Sequence, residues 1–235
     1  HYTLVDLRNL CIPATPEIKK ALALILATSI GPDGGINPSK DIEQSDVCIN
    51  GMFLNYGCYF GTDEEKLRSV VDFIISQQLA DGGFNCRLNR SGARHSSMHS
   101  TISVLEGIRE YIVAGYAFRA EELNRIEGEA QEFLLRHRLF KSDHTGAVIH
   151  PSFLKLVYPP RWRYDILRAL DYFQSVGYPY DERLQDALDI LKEKRLSDGR
   201  WKTQAHHPGE VHFQMEQAGK PSRWSTLRCL RVLEY

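Results

Sequence analysis

Three short turns constrain this chain more than any other feature. Asp33-Gly34-Gly35-Ile36, Asp81-Gly82-Gly83-Phe84 and Asp198-Gly199-Arg200-Trp201 each join an Asp-Gly pair to a large apolar residue two positions on. Ser142-Asp143-His144-Thr145-Gly146 falls where a degenerate copy belongs. The stretch around the second turn, Gln77 to Tyr111, reads as a helix end, the turn, a polar loop with Cys86, His95 and His99, and a second helix. A helix–turn–helix unit that recurs is the mark of a repeat architecture.

The helices read from apolar spacing are of two kinds. Pro16–Ser29, a helix begun by a Thr62/Glu65 capping box, Glu121–Arg138 and Asp181–Arg195 each carry one apolar and one charged face, the pattern of an outer helix. Asp46–Phe60 and the stretches after the later loops are apolar on most sides, as inner helices are. A helix over Arg161–Val176 is expected to begin directly after Pro159-Pro160, and the last helix begins at Ser222. The inner stretches Cys48–Leu54, His99–Leu105, Tyr164–Leu170 and Trp224–Leu230 align without gaps, at steps of 51, 65 and 60 residues.

Helix pairs at such a period predict an all-α chain, an α/α toroid in which an inner ring is wrapped by an outer one. The units are a partial 1–15, then 16–61, 62–117, 118–178 and 179–235, about four and a half pairs in one domain spanning 1–235. The chain begins at His1 rather than Met, so the expectation is a fragment or processed product whose ring is incomplete at its N-terminus. A preceding repeat or a partner chain would complete it.

With 43% hydrophobic residues and a formal net charge of −1, the chain can bury a large core and shows no electrostatic bias towards nucleic acid. The longest apolar run, Ala21 to Ala27, is far short of the roughly 20 residues of a membrane span. Five cysteines without regular spacing point to a reducing, cytoplasmic setting and not to a disulfide framework. Cys11, Cys58 and Cys229 read as small core residues.

The repeat resembles that of the terpene cyclase and protein prenyltransferase superfamily, on Gln78-Leu-Ala-Asp-Gly-Gly-Phe84 and, without the Gln, Leu196-Ser-Asp-Gly-Arg-Trp201. The likeness runs from Pro16 onward. More narrowly the chain looks like bacterial squalene cyclase-like proteins with prenyltransferase and squalene oxidase repeats. No DxDD segment occurs, which argues against alkene protonation of the cyclase kind. Prenyltransferase β-subunits hold zinc with Asp-x-Cys at one inner helix start and His at the next. Here Asp46-Val-Cys48 and His99 occupy those places, and the repeat register sets both.

The resemblance thus implies a zinc cofactor on Asp46, Cys48 and His99, with Cys86 and His95 as alternates, and a small apolar substrate, isoprenoid in kind. Carboxylate, thiolate and imidazole suit zinc, which leaves a fourth position for substrate. The chain departs from the family at Ile49, where Tyr is usual, and at Lys40, Asp41 and Glu43, where a basic cluster is usual. Arg87, Arg90 and Arg94 are the other cations near the site, and Arg94 is read as substrate-binding. Trp162, Tyr164 and Trp224 at inner helix starts would line an aromatic cavity, or else pack in the core. Asp165 would act as an acid or base if buried, or as a helix cap.

The last loop carries His206, His207, Glu210, His212 and Glu216. On a helix His212 and Glu216 would share a face, and the loop would supply a second metal site or a substrate-facing acid, Glu216, unless it is a solvated loop over the ring mouth. His144 and His150 read as surface residues. Two other readings stay open: a toroid that binds a ligand or protein without chemistry, and a carbohydrate-processing toroid using Tyr164, Asp165 and Glu216.

Overall fold

The alternation of amphipathic and apolar segments produces helices, because only a helix brings residues three and four apart onto one face. The computed structural model describes residues 1–39, 41–87, 91–207 and 211–234. Lys40, Arg90 and Glu210, which figured in the sequence reading, lie outside the described residues. The structure is mostly helical. Its α-helices are α1 (Tyr2–Asn9), α2 (Pro16–Thr28), α3 (Val47–Tyr59), α4 (Glu64–Ser76), α5 (Met98–Val113), α6 (Ala120–Arg136), α7 (Ile166–Ser175), α8 (Gln185–Glu193) and α9 (Arg223–Leu233). Short 3-10 turns lie at Pro151–Leu154 and Glu182–Leu184. Two short strands, β1 (Trp201–Lys202) and β2 (Pro221–Ser222), pair antiparallel, Trp201 opposite Ser222. Among the described residues no helix is long and apolar enough to cross a membrane.

The chain divides into two compact units, His1–Phe133 and Leu134–Tyr235. In the first, α3 and α5 pack side by side in parallel. Phe53, Leu54, Tyr56, Ile102, Leu105 and Ile108 are fully buried around them. Their backbones touch: a Cβ on Gly51 would fall 2.4 Å from the Ser103 carbonyl oxygen, and one on Gly107 2.4 Å from that of Gly51. Only glycine permits this approach. Helices α2 and α4 turn one face inward, with Ile18 and Leu22 on α2 and Leu67, Val70, Val71 and Ile74 on α4.

The three Asp-Gly turns carry the same hydrogen bonds. Gly31 N–H donates to Gly35 O, Leu79 N–H to Gly83 O, and Leu196 N–H to Arg200 O, at 2.8, 3.0 and 2.8 Å. The glycine after each Asp has φ of 82°, 94° and 82°, a left-handed backbone that L side chains resist. The fourth turn residue then donates its N–H to the helix that follows: Ile36 to Asn50 Oδ1, Phe84 to Thr101 Oγ1, Trp201 to Thr226 Oγ1. All three acceptors lie four residues past their helix cap. Asp33 and Asp81 also clamp the loop ahead, accepting from the backbone N–H and hydroxyl of Ser45 and Ser96 respectively. Asp198 binds only within its own turn, on Arg200. The fourth turn is one residue longer, with Ser142 N–H donating to Ala147 O, and Ala169 stands where the helix acceptor would be.

In the second unit Trp201 is fully buried and donates its indole N–H to Leu191 O at 2.7 Å. Asp171 on α7 accepts from Arg228 Nε and Arg231 Nε on α9, both at 2.9 Å.

Four local expectations are corrected. The Thr62/Glu65 capping box does not form. Asp63 is the helix cap, and Thr62 Oγ1 is enclosed without a hydrogen bond among the described residues. Its neighbour Glu64 instead reaches the next loop, accepting from Phe118 N–H at 2.7 Å and Tyr111 OH at 3.0 Å. Helix α7 starts at Ile166, five residues later than the Arg161 expected, because Asp165 caps it by accepting from Arg168 N–H at 2.8 Å. Cys11 is exposed, whereas Cys58 and Cys229 are buried as expected. His212 and Glu216 are not on a helix.

Candidate functional site

The second Asp-Gly turn delivers Cys86 to the point where α3 and α5 begin. Phe84 is held by Thr101, and two residues later Cys86 N–H donates to Ser100 Oγ at 3.2 Å. Its sulfur then accepts from Cys48 N–H and from the Ser100 hydroxyl, each at 3.3 Å. Cys48 is the second residue of α3, so its N–H is one of the donors a helix start leaves without an intrahelical acceptor. Asp46 occupies the cap position, but its side chain makes no cap hydrogen bond. Cys86 sulfur takes that role.

The two thiols differ in acidity. The neighbouring Cys48 thiol lowers the Cys86 thiol below its ordinary value; Ser100 and the Cys48 N–H act in the same sense, while burial opposes them. The Cys48 thiol is raised well above its ordinary value, first by its interaction with the Cys86 sulfur, then by burial, and then by the negative charges of Cys86 and Asp46. Cys86 is thus the more acidic of the two thiols, which favours it as a nucleophile or a soft-metal ligand.

Of the sequence-predicted ligands, Cys48 and Cys86 meet here, and Asp46 stands at the α3 cap two residues before Cys48. His99 is half-buried one residue before Ser100 on α5. His95 and Arg94 are exposed on the loop, and the His95 carbonyl accepts from Asn85 Nδ2 at 2.7 Å. Among the described residues no three His, Cys, Asp or Glu side chains stand arranged around a metal position. Ser100 went unnoticed in the sequence. Its only signal was its place next to His99 at an inner helix start.

The candidates of the second unit are mostly occupied by packing. Tyr164 is buried, its hydroxyl donates to Leu139 O at 2.5 Å, and its ring meets Phe153 edge-on at 5.0 Å. Trp224 stacks on Tyr158 at 5.4 Å, and Arg163 covers the Trp162 ring at 4.8 Å. Asp165 is the α7 cap and is fully enclosed. Burial, ahead of the opposing Arg228 and Arg168, raises its carboxyl to about 6. Glu216 Oε1 accepts from Arg223 N–H at 2.7 Å and so ties the last loop to α9. No protein-family model matches this chain, and a search of curated proteins returns no match.

Proposed function

We propose that this chain is an enzyme of the prenyltransferase-like kind, in which zinc at the starts of α3 and α5 activates a nucleophile towards an apolar, isoprenoid-type substrate. One observation supports this reading above the others: Cys48 and Cys86 meet at the start of α3, whose cap is Asp46, beside the helix that carries His99. Two sulfurs, a carboxylate and an imidazole form a donor set suited to zinc. A divalent metal held by these two cysteines would displace their thiol protons. Zinc, when bound, keeps its sulfur ligands deprotonated and lowers the pKa of a coordinated thiol or hydroxyl nucleophile.

The chain's own groups prepare this chemistry. Cys48 N–H and the Ser100 hydroxyl already stabilise negative charge on Cys86. The α/α toroid remains the architecture we propose. Steps of 51, 65 and 60 residues and three turns with matching hydrogen bonds support it.

The test is zinc content by elemental analysis, on protein purified without chelator. Wild type is expected to carry about one zinc per chain, and Cys48→Ala and Cys86→Ala to lose it while remaining helical by circular dichroism. Zinc-loaded protein is then assayed with isoprenoid diphosphates and thiol acceptors. A wild type that takes up no zinc when supplied with it, or variants with undiminished zinc, would overturn the reading.

A further inference from the structure

The two cysteines at the start of α3 hold a chemistry that needs no metal. Cys48 and Cys86 are 38 positions apart in the chain, with α4 and the second Asp-Gly turn between them. The fold brings them together at one point: Cys86 Sγ lies 3.3 Å from Cys48 N and accepts its N–H. The Cβ that carries the Cys48 sulfur is two bonds from that nitrogen, so Cys86 Sγ lies within reach of the Cys48 side chain. Rotation about the two Cα–Cβ bonds is the motion that brings such sulfurs to the roughly 2.0 Å of a disulfide, with Cβ atoms about 3.8 Å apart.

Cys86 is also held from both ends. Its N–H donates to Ser100 Oγ at 3.2 Å, and its sulfur accepts from the same hydroxyl at 3.3 Å. Ser100 is itself buried on α5. Neither cysteine is sealed in: both are half-buried, whereas Cys58 and Cys229 are buried. The pair is thus more open to a small oxidant than the enclosed cysteines are.

We infer that Cys86 and Cys48 form an oxidation site for hydroperoxides, at which they join in a reversible disulfide. The Cys86 thiolate, held by two hydrogen bonds, attacks the terminal oxygen of the hydroperoxide. The O–O bond breaks, an alcohol (water, for hydrogen peroxide) leaves with the proton of the Cys86 thiol, and Cys86 becomes a sulfenic acid. The Cys48 sulfur then attacks the Cys86 sulfur. The S–O bond breaks, and water leaves with the Cys48 proton. Two thiols and one hydroperoxide give one disulfide, one alcohol and one water. The sulfurs supply two electrons, and the O–O bond takes them. A dithiol reductant restores the pair by exchange and itself becomes a disulfide. On the zinc reading, this bond withdraws both sulfur ligands and releases the metal. That consequence rests on the zinc reading; the bond itself does not.

The test uses the full chain, reduced and stripped with chelator, so that metal plays no part. It is treated with hydrogen peroxide, alkylated, cut with trypsin without reduction and read by mass spectrometry. The expected product is fragment 41–66 joined to fragment 69–87, two hydrogen masses below their sum, with fragmentation placing the bond at Cys48 and not Cys58. Dithiothreitol is expected to restore both thiols. The folded chain is expected to form the link at least about tenfold faster than the chain unfolded in urea, because the fold holds the sulfurs together. Cys11→Ser, which removes an exposed thiol, is expected to form it at the wild-type rate. Absence of the joined fragments while Cys11 is oxidised, a bond at Cys58 instead, or equal rates in folded and unfolded chain overturns the inference. A wild type that forms the bond yet takes up no zinc supports the inference and overturns the zinc reading alone.

Discussion

Cys86 acts at the start of α3 as an oxygen usually does, accepting the N–H that Asp46 leaves to it. A sulfur in that position is a poorer cap but a better ligand and nucleophile. The register of the repeat made Cys48 and His99 legible as equivalent residues, since both stand at the same point of an inner helix. It did not make Cys86 legible. That residue reaches the site through the path of a loop, and no periodicity describes a loop.

Asp165 illustrates the same limit. Its type and its place before an apolar stretch suit a cap, but only packing shows that it is enclosed. Burial raises its carboxyl from 3.8 to about 6. Between those values the folded chain holds a proton that the unfolded chain releases, so stability falls as pH rises through that window. The loss is complete above the folded value and amounts to about 3 kcal/mol. Asn caps a helix about as well as Asp. Asp165→Asn, which does not titrate, is expected to gain about 3 kcal/mol on wild type between about pH 4 and about pH 7 in urea unfolding. A difference that stays constant across that range would show that burial does not govern this carboxyl.

At the scale of elements, α3 and α5 depend on two glycines. Any side chain at Gly51 meets the α5 backbone, which has no rotamer by which to yield. Gly51→Ala is expected to cost at least about 2–3 kcal/mol, through forced separation of the helices. Gly128, exposed on α6 with nothing within 4 Å of an added Cβ, is the contrast. Gly128→Ala is expected to stabilise by about 0.5–1 kcal/mol, from helix propensity alone. Chemical denaturation of both proteins checks the pair, and equal effects would count against the close packing. The burial of α3 on most sides was legible in its lack of any charged residue from Val47 to Tyr59. The start of α7 was not. Pro160 permits a helix directly after it, and the competing signal, a side chain bonding three residues ahead, is a local choice that Arg161 to Tyr164 do not announce.

At the scale of the whole molecule, 29 basic and 30 acidic residues leave the surface near neutrality. With a pI of about 6.8, this chain is expected to show its lowest solubility near that pH, measurable by polyethylene glycol precipitation across a pH series. Solubility that rises steadily through that range would indicate that the two signs are segregated on the surface. By itself the sequence determined the helical class and the positions of the three Asp-Gly turns. Those properties follow from period and from backbone angles that glycine alone adopts readily, and both are local. The tertiary structure decided which side chains meet, as Cys86 meets Cys48 and Ser100. It also decided the enclosure of Asp165 and the separation of the chain into two compact units. These depend on contacts between residues far apart in the chain, and the energy of such contacts is set by burial and distance, which have no counterpart in the order of the residues.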